Sequence, residues 1–78
     1  MPKIPSHSSE KSIRVFVKLG FVLNKKRGKG SHTCLEKEGI ARPIIIPKRK
    51  RISDGVVMSN IRSAKTTKKE YIRILNSL

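Results

Sequence analysis

Phe21-Val22-Leu23-Asn24, His32-Thr33-Cys34-Leu35-Glu36 and Ile40-Ala41-Arg42-Pro43-Ile44-Ile45-Ile46-Pro47 are the segments whose reading decides the fold. Each is rich in apolar or β-branched residues and is bounded by glycine or charge, so each reads as a strand. Lys25-Lys26-Arg27-Gly28-Lys29-Gly30 joins the first to the second as a basic hairpin loop. Lys37-Glu38-Gly39 turns the second into the third. Pro43 has no N–H to give to a ladder, which places its strand at an edge. The third strand of a 1-2-3 meander is an edge strand, so the proline and the topology agree.

Helices flank these strands. Ser8 or Ser9 can cap a first helix, and Glu10 suits its positive end. Ile13, Phe16 and Val17 fall at i, i+3, i+4, and Gly20 follows Leu19 as a stop. Asp54-Gly55 opens a second helix, in which Val57, Ile61 and Ala64 form a buried stripe. Thr67 and Glu70 have the spacing of a capping box, with each side chain satisfying the other's N–H. The third helix then carries Tyr71, Ile74, Leu75 and Leu78 on one stripe. Residues 1–7 read as an extended N-terminal arm and 8–78 as a single domain. The expected fold is α+β, in the order α-β-β-β-α-α, with a three-stranded antiparallel sheet and helices on one face.

Charge bounds the partner. Among 78 residues, Lys and Arg number 19 and Asp and Glu number 5, a net charge of +14. A soluble surface ordinarily mixes signs. An excess this large on a small domain favours a polyanion, with nucleic acid as the leading class. No long apolar run offers a membrane span or a signal peptide. One cysteine, Cys34, allows no internal disulfide, which fits a reducing cytosol. His7, His32, Cys34 and the scattered acids lack metal-ligand spacing, so no metal or other cofactor is expected.

Two basic clusters acquire a location from the topology. Lys25, Lys26, Arg27 and Lys29 lie in the first hairpin loop, and Lys48, Arg49, Lys50 and Arg51 follow the third strand. In a meander these lie at the same end of the sheet, where they form one expected phosphate-binding surface. The aromatics Phe16, Phe21 and Tyr71 all fall at core positions, so recognition leans on phosphate and shape rather than base stacking.

Gly28-Lys29-Gly30-Ser31-His32 resembles the Gly-Ser-His signature of HicA-type toxins, the messenger-RNA interferases of toxin–antitoxin modules. The resemblance spans nearly the whole chain. Met1-Pro2-Lys3-Ile4-Pro5 and Ser9-Glu10-Lys11 are similar to the family's start, and Lys18-Leu19-Gly20-Phe21 to its helix-to-strand junction. Ile44-Ile45-Ile46-Pro47 resembles its third strand, residues 55–62 its second helix, and residues 69–75 its final helix. The resemblance implies a fold like that of double-stranded-RNA-binding domains, whose α-β-β-β-α order this chain shares. It implies a cytoplasmic endoribonuclease that needs no metal, with His32 catalytic, and a HicB-type antitoxin that masks the site. The chain departs from the family in four respects. Lys29-Gly30 lengthens the loop, and Arg49 stands where many members carry a second histidine. Val56 replaces a usual threonine, and Asn60 a usual large aliphatic.

The chemistry suits one imidazole. RNA carries its own nucleophile, the 2′-hydroxyl, and a base that takes its proton lets the oxygen attack the adjacent phosphorus. Nearby cations stabilise the charge that builds on phosphorus. If Leu35 faces the core, Thr33 shares its face, and His32, Cys34 and Glu36 point to the open face. Gly30 allows close backbone approach to a phosphate, and the Ser31 hydroxyl is a further donor. His7 is expected to be an arm residue without a partner, and Cys34 a small apolar filler. Glu36 either orients a protonated imidazole or repels phosphate. The alternatives to a nuclease are an RNA-binding module or degenerate toxin without cleavage and, more distantly, a helix-turn-helix DNA binder built on residues 54–78.

Overall fold

The computed structural model describes residues 3–24, 30 and 32–78. Helix α1 spans Ser9–Lys18, β1 Val22–Leu23, β2 His32–Glu36 and β3 Ile44–Pro47. Helix α2 spans Asp54–Ser63 and α3 Lys68–Asn76. The α-β-β-β-α-α order and the antiparallel β1-β2-β3 sheet are those expected from the sequence.

Each helix starts at a hydroxyl cap. Ser8 accepts from the Lys11 N–H, Ser53 from the Val56 N–H and Thr67 from the Glu70 N–H. Only this half of the expected capping box at Thr67 forms. The Glu70 carboxylate accepts from Arg73 instead, with Nε–H donating at 3.1 Å and Nη2 pairing with the other oxygen. An arginine one turn along offers charge-assisted bonds that a neutral backbone N–H cannot match. Gly20 ends α1 with φ +100°, and a Cβ there would come within 3.2 Å of the Lys37 side chain. That lysine donates to the Leu19 carbonyl at 2.8 Å.

β1 and β3 are shorter than the sequence suggests. Residues 38–42 belong to the turn instead, with Gly39 at φ +87° and the Ile40 N–H bonded to the Lys37 carbonyl. The ladder then begins one residue after Pro43, where N–H groups resume. β2 pairs His32 with Pro47, Thr33 with Ile46, Cys34 with Ile45 and Leu35 with Ile44. Leu35, Ile44 and Ile46 therefore share one face, and all are fully buried. Against that face pack Val15 and Phe16 of α1 and Tyr71 of α3, with Val57 and Ile61 of α2 completing the core.

The N-terminal arm is not free of the domain. Ile4 lies in the core, and His7 is buried. The Ile52 N–H bonds the His7 carbonyl, and the Ser9 N–H bonds the Arg49 carbonyl. His7 Nδ1–H donates to the Pro5 carbonyl at 2.7 Å, and Nε2 lies 2.7 Å from the Tyr71 hydroxyl. The expectation of an unpartnered His7 is thus overturned. An imidazole is apolar enough to pack and polar enough to satisfy two buried groups.

Candidate functional site

The open face of the sheet follows from the same register. His32 and Cys34 project opposite to Leu35, together with Ile45 and Pro47 of β3. His32 is exposed on this face, as alternation along β2 predicts. Cys34 is not, at only 2 % exposure, although it shares the face. It sits on the central strand between Asn24, whose N–H bonds the Cys34 carbonyl, and Ile45. The thiol is therefore a buried filler, as expected from the sequence. Glu36 accepts from Asn24 Nδ2 at 2.7 Å across β1 and β2.

Helix α2 turns this face into a cleft. Val57, Ile61 and Ala64 enter the core. Val56, Ser59, Asn60 and Ser63 recur at i, i+3, i+4 and i+7 and form a second stripe along the edge of β3. Together with His32, Pro43, Ile45, Pro47 and Gly55 they line an open cleft of about 480 Å³. Asn60 is the hinge of this arrangement. Its Nδ2 donates to the Ile45 carbonyl at 3.2 Å, which satisfies the edge strand and ties α2 to it. A large aliphatic there would lack that donor, so the amide at position 60 has a structural reason.

A chain with many family-like segments now has a fold to carry them. A model of the HicA toxin of bacterial toxin-antitoxin matches residues 9–66. The chain belongs to the HicA toxin family. No curated protein matches it. The HicA match begins at the first residue of α1 and ends just past α2, so it includes the whole sheet, His32 and the cleft.

The basic residues expected to contact RNA divide into two groups. Lys25, Lys26, Arg27, Lys29 and Ser31 lie outside the described residues. Gly30 is exposed with φ +57°, and nothing stands within 4 Å of where a Cβ would be. That conformation suits glycine and leaves open space beside the backbone.

Lys48, Arg49, Lys50 and Arg51 are all exposed. Pairing of His32 with Pro47 brings the start of this run to the end of the sheet where His32 lies. Yet none of the four lines the His32 cleft. Lys48, Arg49 and Lys50 instead flank a depression at the start of α1, with Ser8, Ser9 and Glu10. Ser9 fixes the Arg49 backbone by accepting from its N–H at 3.2 Å and donating to its carbonyl at 3.1 Å. Arg51 donates to the Ser6 hydroxyl through Nε at 3.1 Å and Nη2 at 2.7 Å.

Sequence reasoning missed the cleft wall. Its signal in the sequence is the helical spacing of Val56, Ser59, Asn60 and Ser63, a mostly polar stripe beside the apolar one. Among the described residues, no three of His, Cys, Asp and Glu converge. Also among them, no helix is long and apolar enough to cross a membrane.

Proposed function

We propose that this HicA toxin is an endoribonuclease that cuts messenger RNA through His32 and is neutralised by a HicB-type antitoxin. The observation that carries the reading is the position of His32. It is exposed at the mouth of an open cleft, at the end of the sheet where Lys48–Arg51 begin. A histidine kept for packing would resemble His7, which is buried.

The reaction needs only the substrate's own nucleophile. His32 takes the 2′-hydroxyl proton as the 2′-oxygen bonds to phosphorus. The bond from phosphorus to the 5′-oxygen breaks, and that oxygen leaves with a proton drawn from solvent. The products are a 2′,3′-cyclic phosphate and a 5′-hydroxyl end. The positive field of the basic run that begins at this end of the sheet offsets the charge on the phosphoryl oxygens. Arg49, in that run, supplies positive field rather than a second imidazole. DNA, without the 2′-hydroxyl, is excluded by the chemistry itself.

The antitoxin belongs to the same reading. With a net charge of +14, an acidic protein partner is favoured, and covering the cleft would block RNA entry. The direct test incubates the purified chain with RNA in the presence of a chelator. Cyclic-phosphate ends are expected, and they should disappear when the 2′-hydroxyl at the cut is replaced by hydrogen. An intact RNA substrate under all conditions would instead favour a toxin relative that binds without cutting.

A further inference from the structure

The cleft beside His32 continues beyond Ser63. Ser59 and Ser63 also line a second depression, whose other walls are Ala41, Arg42, Arg62 and Lys65. Two depressions that share a wall form one groove. Asn60 bonds Ile45, and the Arg62 end of α2 reaches Arg42, so α2 runs antiparallel to β3. His32 stands at the Pro47 end of β3 and Arg42 just before its Pro43 end. From Pro43 to Pro47 the strand covers about 13 Å at about 3.3 Å per residue.

We infer that the Arg42–Arg62–Lys65 end of this groove is a second phosphate-binding site, which holds the backbone of single-stranded RNA to one side of the bond facing His32. The inference rests on the nuclease reading and extends it. The three cations come from two separate elements, the turn before β3 and the end of α2. Ser59 and Ser63 add hydroxyl donors between them and His32. No acidic side chain lines either depression, and among the described residues no carboxylate pairs with any of the three. By contrast, the depression beside Lys48–Lys50 contains Glu10.

Helix electrostatics account for only part of this cluster. Arg62 and Lys65 complement the negative end of α2, but Arg42 is not on that helix. Lys65 is also costly to keep. It has φ +57° and is the only non-glycine among the described residues with positive φ. The Lys65 N–H bonds the Arg62 carbonyl and the Thr66 N–H bonds the Ile61 carbonyl, a helix ending for which glycine is the favoured residue. A lysine there sacrifices backbone comfort for a cation at the groove. Single-stranded RNA is favoured as occupant because the groove leads directly to His32, and linked phosphates would meet both ends.

The test uses the full chain and a labelled 2′-O-methyl oligouridylate, which cannot be cut, titrated by fluorescence anisotropy across a salt series. In the triple variant Arg42→Gln, Arg62→Gln, Lys65→Gly, affinity should fall roughly tenfold or more at moderate salt. The slope of log affinity against log salt should flatten by about 2, from three lost contacts at about 0.7 each. Lys65→Gly alone should weaken RNA binding while thermal stability holds or rises, a split that a purely structural lysine would not give. Unchanged affinity and slope in the triple variant would overturn the inference and leave the role of His32 intact. A wild-type chain that binds no RNA removes both readings. A triple variant that keeps RNA affinity but loses an acidic antitoxin assigns the groove to that protein and also overturns the inference.

Discussion

His7 Nε2 lies 2.7 Å from the hydroxyl of Tyr71, a residue 64 positions later in the chain, inside the core. The same hydroxyl lies 2.7 Å from Ser12 Oγ, so one phenol joins the arm, α1 and α3. Tyr71→Phe keeps the ring and strands two buried polar groups. It should cost about 1–3 kcal/mol. His7→Ala removes packing as well and should cost at least as much. Urea denaturation reads both, and midpoints unchanged from wild type would show the network to be ornamental.

Tyr71 also sets an alkaline limit. Burial pushes its hydroxyl from 10 up to about 12, while the bond to Ser12 pulls the other way. The folded state therefore holds the phenolic proton more tightly than the unfolded chain. This contribution is fully present below about pH 10 and is lost as pH rises towards about 12. Wild type should lose stability across that window, and Tyr71→Phe should lose less. Parallel pH dependence in the two proteins would refute the linkage.

His32→Ala should abolish RNA cleavage and cellular toxicity. The side chain is exposed, so the fold should change by less than about 0.5 kcal/mol. All 19 basic side chains remain, so most RNA affinity should persist. Product analysis beside a binding assay separates the two effects. Full-rate cleavage by the variant would move the chemistry away from the imidazole.

Neutralising Lys48, Arg49, Lys50 and Arg51 together should weaken all RNAs alike and flatten the salt slope by up to about 3. An altered sequence preference without that flattening would mean that these side chains read bases.

Antitoxin binding has a convenient reporter. The chain contains two histidines, of which His7 is buried and His32 exposed. An imidazole-modifying reagent should therefore label His32 alone, and a HicB-type partner from a neighbouring reading frame should protect it. Equal labelling in the complex would place that partner elsewhere on the surface.

Local rules made most of this fold legible. Ser8 and Thr67 cap as their positions before helical patterns suggest, whereas the Ser53 cap of α2 comes one residue before the expected start at Asp54; β2 runs over the expected His32–Glu36. The exposure of His32 follows from the alternation along β2. What escaped depends on partners distant in sequence. His7 sits among prolines and serines with no periodicity, and only Tyr71 explains its burial. Arg42 falls inside the expected third strand, and its convergence with Arg62 depends on how α2 runs beside β3.

The arm that docks through Ile4 and His7 bears on synthesis. The arm and α1 are synthesised well before Tyr71, and they find their shared anchor only when that residue has been added. Contacts of such long sequence separation form late and slowly compared with local ones. A chain interrupted before α3 would expose Ile4, Val15 and Phe16 and lack the residue that joins them. Partial translation products should then be targets for proteolysis rather than active fragments.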